Sequence, residues 1–196
     1  MTYSQAMQIL VDEHEVILTV LDAVERVASR KEAACSTAFY EQALDFLATF
    51  ADKCHHAKEE NVLFPMLEER GIPRHGGPIG CMLHEHDEGR AYLAAIRQAL
   101  PLAGQGNQKA HDTIRQQALG YVALLRDHIA KENQVLFPMG DRVTSPADRE
   151  HLLKKFQCRE HGPLPPEAHD HYLALAKELS AMSAVHGNEP ASCTDS

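Results

Sequence analysis

The sequence predicts an all-α protein: an up-down-up-down four-helix bundle with additional C-terminal helices. Three observations carry that reading. Apolar residues recur at 3-4 spacing through long stretches separated by short Gly/Pro-containing breaks. Strand alternation is missing throughout. Ala, Leu, Glu, Gln and Lys are plentiful and Trp is absent, which favours helix.

The first helix is expected from Ser4 to Arg30, where Met7, Leu10, Ile17, Leu21, Val24 and Ala28 form the apolar series and His14 falls inside it. Cys35-Ser36-Thr37 is a polar break with an N-cap before a second helix, Thr37 to Arg70. Gly71-Ile72-Pro73-Arg74-His75-Gly76-Gly77-Pro78 is a loop. A third helix spans Ile79 to Leu100, Pro101 to Asn107 connects, and a fourth runs from Gln108 to Met139 and stops at Gly140. Ser145-Pro146-Ala147-Asp148 starts a fifth segment with a cap, a proline and an acid in the first turn. Gly162-Pro163-Leu164-Pro165-Pro166 interrupts it, and Glu167 to Ala184 is a last helix. The expected organisation is therefore a bundle over residues 1–142, a helical extension packed on it over 143–186, and a disordered tail over 187–196.

The chain is a duplication. His55-His56-Ala57-Lys58-Glu59-Glu60-Asn61-Val62-Leu63-Phe64-Pro65 returns 73 residues later as His128-Ile129-Ala130-Lys131-Glu132-Asn133-Gln134-Val135-Leu136-Phe137-Pro138. Upstream, Asp12-Glu13-His14-Glu15 returns as His84-Glu85-His86-Asp87, offset by 72. On a helical wheel Leu44, Ala48, Ala51, His55, Glu59, Val62 and Met66 lie within about 40° of one line. Leu124, His128, Glu132, Val135 and Met139 do the same in the second copy, with Tyr121 aligned. His56 and Glu60 form another i, i+4 pair off that stripe, and the second copy has Ile129 and Asn133 in their places. They read as a solvated pair. On the third helix Ile79, Met82, His86 and Leu93 share a face, while His84 points away. His14 and His86 are then the equivalent lone histidines of the two copies.

Two carboxylates and four imidazoles in apolar stripes, with no Lys to neutralise them, call for a cation, because a buried unpaired carboxylate costs several kcal/mol. Glu from facing helices can bridge two ions with imidazoles as terminal ligands. Mixed nitrogen and oxygen donors suit Fe, Mn or Zn, and no thiolate joins them. The metal-ligating candidates are His14, His55, Glu59, His86, His128 and Glu132. Met66, Met82 and Met139 read as core filler, Cys54 and Cys81 as small buried hydrophobes, and Arg90 as a salt-bridge partner. His111, His151, His161, His169 and His171 have no partner in the repeat and are expected at the surface.

With Glu13-His14, His55-x-x-x-Glu59 with Leu63-Phe64-Pro65, Met82-Leu83-His84-Glu85-His86-Asp87-Glu88-Gly89-Arg90, and His128-x-x-x-Glu132 with Leu136-Phe137-Pro138 in order, the chain resembles a bacterial hemerythrin-like protein of the HHE cation-binding type. The resemblance spans about two-thirds of the chain. It implies a non-haem di-iron site, oxo- or hydroxo-bridged, that binds O₂, NO or a peroxide, with Zn or Mn as other occupants. His14, His55, His86 and His128 would be terminal ligands, and Glu59 and Glu132 the bridges. Oxygen-carrying members have a further His where this chain has Met82, and Asp where it has Glu132. The departures imply an extra open position on one iron, and favour reactivity or sensing over carriage. A rival reading is a di-iron enzyme or an iron donor in oxidative or nitrosative repair. Proteins of that repair type usually carry a cysteine-containing N-terminal domain, which is not expected before Ser4.

The net charge of −9 argues against nucleic acid or an anionic membrane as partner. Five scattered cysteines without a C-x-x-C pair fit a reducing cytoplasm. No signal peptide or membrane span is visible, and a monomer or small homo-oligomer is expected.

Overall fold

The computed structural model describes residues 3–30, 36–157 and 166–185. Every regular element among them is helical. Helix α1 spans Gln5–Ala28 and starts at Ser4, whose side chain accepts from the Met7 amide. Helix α2, Thr37–Phe46, starts at Ser36, whose hydroxyl accepts from the Phe39 amide. It runs on through a π-helical stretch, Leu47–His56, and a π-turn, Glu59–Leu63, into α3, Phe64–Glu69. Helix α4 is Pro78–Ala103, and α5 is Gln108–Lys131, which continues through the π-turn Glu132–Leu136 into α6, Phe137–Val143. The π-turns fall at equivalent places in the two copies, on the glutamates of the His-x-x-x-Glu pairs. Helix α7 covers Pro146–Gln157 and α8 covers Pro166–Val185.

The reciprocal cap expected at Ser145 is present: its hydroxyl accepts from the Asp148 amide, and the Asp148 carboxylate accepts from Ser145. Gly71 and Gly76 take φ of 91° and 68° in the loop joining the two copies, as only glycine does freely. Two boundaries move. Pro101 lies inside the last turn of α4, not in a connection, and its exposed position leaves the freed carbonyl to solvent. The fourth rod passes through Gly140, which is buried, and ends at Val143. The interruption over 162–165 and the tail over 187–196 lie outside the described residues.

Helix α4 packs along α5, α5 along α1, and the α2 rod against both α4 and α1. The apolar interior is divided in two. One cluster holds Ile17, Leu21, Ala51, Leu93, Leu125 and Ile129; the other holds Leu10, Val62, Leu63, Met82, Leu136 and Phe137. On all four rods the metal-ligating candidates fall between residues of the first cluster and residues of the second. The C-terminal helices cover both: Leu152 and Phe156 of α7 join one cluster, Tyr172, Leu175 and Leu179 of α8 the other. Val62 is buried as expected, whereas its counterpart Val135 is 48 % exposed. The difference has a cause, since α7 packs on the Glu59–Leu63 turn.

Candidate metal centre

His14 on α1, His55 and Glu59 on the second rod, His86 on α4, and His128 and Glu132 on the fourth rod all meet in the polar layer, each at most 1 % exposed. Their donor atoms form two overlapping groups. His14, His55, Glu59 and Glu132 lie within 4.8 Å of one another, and so do His56, Glu59, His86 and His128. Glu59 belongs to both. Its two oxygens are split between them, Oε1 3.6 Å from His55 Nε2 and Oε2 3.6 Å from His86 Nε2. Glu132 Oε2 sits 3.2 Å from His14 Nε2 and 3.3 Å from His128 Nε2.

The imidazoles are held from behind. Each of these four histidines turns Nδ1 outward to an oxygen: His14 to Asn133 (2.9 Å), His55 to Glu13 (2.9 Å), His86 to Glu60 (2.7 Å) and His128 to Glu85 (3.0 Å). A hydrogen bond at Nδ1 fixes the tautomer and presents Nε2 inward as an electron-pair donor. Cations hold the orienting carboxylates in turn. Lys58 donates to Glu13, Lys131 to Glu85, and Arg90 to Glu60. The Leu-Phe-Pro echo finds a use here too, since Phe137 stacks on His14 and Phe64 on His86, each lining the lone histidine of the other copy.

Charge inside the layer is distributed unevenly. Burial, then the charge of Glu132, pushes Glu59 well above the usual carboxylate range. Burial would raise Glu132 as well, but the neighbouring His128 holds it down. Burial would lower His128, yet Glu132 lifts it to about 9. His55, desolvated and beside His14, drops to about 4. Burial would raise Glu13, and the His55 hydrogen bond and Lys58 outweigh it and bring it to about 2.

The residues fit a pair of cations. His14 Nε2, His55 Nε2 and all four oxygens of Glu59 and Glu132 are buried without a hydrogen-bond partner among the described residues. Orphaned acceptors at this density are costly unless something positive lies between them. Nitrogen and carboxylate donors without thiolate suit iron, manganese or zinc; the buried Cys54 is engaged by Lys58 and stands outside both groups.

Three expectations are corrected. His56 is buried, bonds Asp52 and joins one of the donor groups, while Glu60 orients His86; they are not a solvated pair. Lys58 is buried off the stripe and pairs with Glu13, so no Lys neutralises Glu59 or Glu132. Cys81 is exposed, since the outer face of α4 carries it. His111 is buried, not at the surface. Arg90 makes salt bridges as expected, and its partners are Asp52 and Glu60, the residues that hold His56 and His86. His84 is exposed as expected, and His161 lies outside the described residues.

An uncharacterised protein of Mycobacterium tuberculosis is 26% identical over 156 residues, covering 78% of this chain and 60% of that protein. The iron-sulfur cluster repair protein YtfE of Edwardsiella ictaluri is 33% identical over 139 residues, 66% of this chain and 59% of its own length. YtfE of Musicola paradisiaca is 31% identical over 129 residues, 62% and 54% respectively. The chain thus spans 54% to 60% of the length of these relatives. No solved structure gives a significant match. The sequence profile described as the hemerythrin HHE cation binding domain matches residues 5–140, which takes in both copies and every residue of the polar layer, and the chain belongs to that family.

Proposed function

We propose that the chain is a non-haem di-iron protein that binds O₂ or a related small molecule, NO or a peroxide, at a carboxylate-bridged site. The observation that carries the reading is Glu59, which two donor groups share, one oxygen directed to each. His14 and His55 would hold one ion and His86 and His128 the other, with Glu59 and Glu132 between them. Such a pair of irons supplies open coordination positions and electrons for a diatomic or peroxide ligand.

The protein's own part is positioning and exclusion. Nδ1 hydrogen bonds keep each imidazole aimed inward, and the ion pairs behind them keep the carboxylates ionised. The apolar clusters above and below keep bulk water from the layer. The fold that does this is proposed as an up-down-up-down four-helix bundle over residues 1–142, with 143–186 as an extension. The alternation of the two apolar clusters along successive rods supports it. No helix of the described residues is long and apolar enough to cross a membrane; the proposal is a cytoplasmic protein, monomeric or a small oligomer.

A second reading is an enzyme or iron donor in oxidative or nitrosative repair, favoured by the relatives named as iron-sulfur cluster repair proteins. Metal content and the near-ultraviolet and visible spectrum of protein purified without added metal decide the first step. Two irons per chain with charge-transfer bands support the centre, and a colourless zinc protein overturns both readings. Reversible bleaching under O₂ cycling then supports binding, whereas oxidant-driven iron loss, with transfer to an apo cluster protein, supports donation.

A further inference from the structure

We infer that His56 supplies a fifth imidazole to the centre, on the His86/His128 side, so that the two half-sites differ by one nitrogen donor. The inference rests on the metal reading above.

His56 has the same construction as His55, His86 and His128, a buried ring backed by a carboxylate that a cation holds. It is 5 % exposed, and its Nδ1 faces a carboxylate, Asp52 Oδ1, at 3.4 Å. Asp52 is fixed by a cation, accepting from Arg90 Nε at 2.8 Å. Arg90 also donates to Glu60, the carboxylate behind His86, so one guanidinium sets both rings. The rings lie nearly parallel, with centroids 3.8 Å apart and 15° between planes, and His56 meets His128 edge-on at 5.7 Å. With Nδ1 engaged by Asp52, Nε2 is the nitrogen left to serve as a donor. His86 Nε2 and His128 Nε2 are 3.1 Å apart; nitrogens bound cis at about 2.1 Å to one ion are separated by about 3 Å.

The other copy sets the contrast. His56 corresponds to Ile129, Asp52 to Leu125 and Arg90 to Leu18, by the same offsets of 73 and 72 that align the ligands. Ligand, orienter and anchor are all polar in one half and all apolar in the other. A surface pair would not need the anchor, and a packing residue would not need the carboxylate. The local cause of His56 burial is the π-helical stretch Leu47–His56, which brings consecutive residues His55 and His56 both inward, one to each half-site. The extra open position expected beside Met82 is then filled from the neighbouring rod, and Met82 belongs to the apolar cluster.

The test is Co(II) titration of metal-free protein, followed by absorption and equilibrium dialysis. The parent is expected to take up two ions. His56→Ile, which copies Ile129, is expected to keep the helical circular dichroism spectrum and take up one. His84→Ala, an exposed control, keeps two. If His56→Ile does not fold, His56→Gln, which keeps a polar group facing Asp52, shows the same loss. Asp52→Ala, which frees the ring without removing it, weakens one ion by about 10-fold to 100-fold. A folded His56→Ile that keeps both ions at parental affinity, or that loses both, overturns the assignment and leaves the metal reading of the parent standing. A parent that binds no Co(II) overturns the metal reading and this inference together.

Discussion

The two copies of the repeat are built alike where they must hold metal and differ where they tune it. Glu13 orients His55 as Glu85 orients His128, and Lys58 stands behind the one as Lys131 stands behind the other. Across the copies, Glu60 orients His86, but Asn133 orients His14. One lone histidine is therefore backed by an ionised carboxylate anchored on Arg90, the other by a neutral amide. A carboxylate makes the ring a stronger donor than an amide does. The common parts make the site possible, and the differences make its halves unequal.

The largest test of that division is the pair of central glutamates. Glu59 serves both donor groups, so Glu59→Gln is expected to abolish uptake of both ions. Glu132, grouped with His14 and His55, contributes most to that half, and Glu132→Gln should lose one ion more readily than the other. The metal-free forms should move the opposite way. A glutamine at 59 brings an N–H donor to oxygens of Glu132 that have no hydrogen-bond partner, and removes a carboxylate whose ionised form burial disfavours. Metal-free Glu59→Gln is expected to be more stable than the parent by about 1–3 kcal/mol in urea unfolding. Equal metal loss in the two variants would show that the carboxylates are equivalent and the asymmetry lies elsewhere.

Lys58 and Lys131 sharpen the comparison next, because the same residue in the same repeat position has a different environment. Lys58 and its partner Glu13 are 5 % and 9 % exposed at the side chain, whereas Lys131 is 41 % exposed. Breaking a buried pair strands a charge, so Lys58→Met is expected to cost about 3–5 kcal/mol. Screening by solvent limits Lys131→Met to about 1 kcal/mol or less. Urea midpoints of the metal-free proteins measure both, and equal losses would refute the difference in burial.

Much of this was legible in the sequence because duplication amplifies it. Six inward residues repeated at fixed offsets cannot be an accident of one helix, and all six meet in the polar layer. The same comparison hid His56. A residue present in one copy only is rejected by a repeat, and an α-helical wheel places it 100° from the stripe. What it could not show is the π-helical stretch, where backbone bonding shifts and neighbouring positions share the interior. Val135 was misplaced because its burial depends on a helix packed from outside the repeat. The orienting residues were visible as echoes, Glu13 with Glu85, but their purpose follows only from which rings they reach. Pro101 reads as a loop residue in any sequence, and here sits where an open carbonyl reaches solvent.

The amide behind His14 offers a smaller adjustment. Asn133→Asp would give the first half the carboxylate that Glu60 gives the second. It is expected to tighten the weaker ion by about 10-fold in the same Co(II) titration, and to bring the two affinities closer together. If the gap is unchanged or widens, orientation by Glu60 and Asn133 does not distinguish the halves.

The smallest effect tests packing between the copies. Gly140 occupies the position of Leu67 in the other copy, and the two face each other: a Cβ at Gly140 would stand 2.8 Å from Met7 Cε and 3.2 Å from Leu67 Cδ2. One copy has filled the shared space and the other has yielded it. Gly140→Ala gains up to about 1 kcal/mol of helix propensity and loses about 1–3 kcal/mol to overpacking. Because Met7 Cε is the end of a flexible side chain that can turn away, the net cost is expected near 1 kcal/mol. Leu67→Ala alone opens a cavity and should cost about 2–5 kcal/mol. The double variant is expected to fall short of the sum by at least about 0.5 kcal/mol, since the new methyl enters space that Leu67 vacates. Strict additivity would mean that the two positions do not share that space.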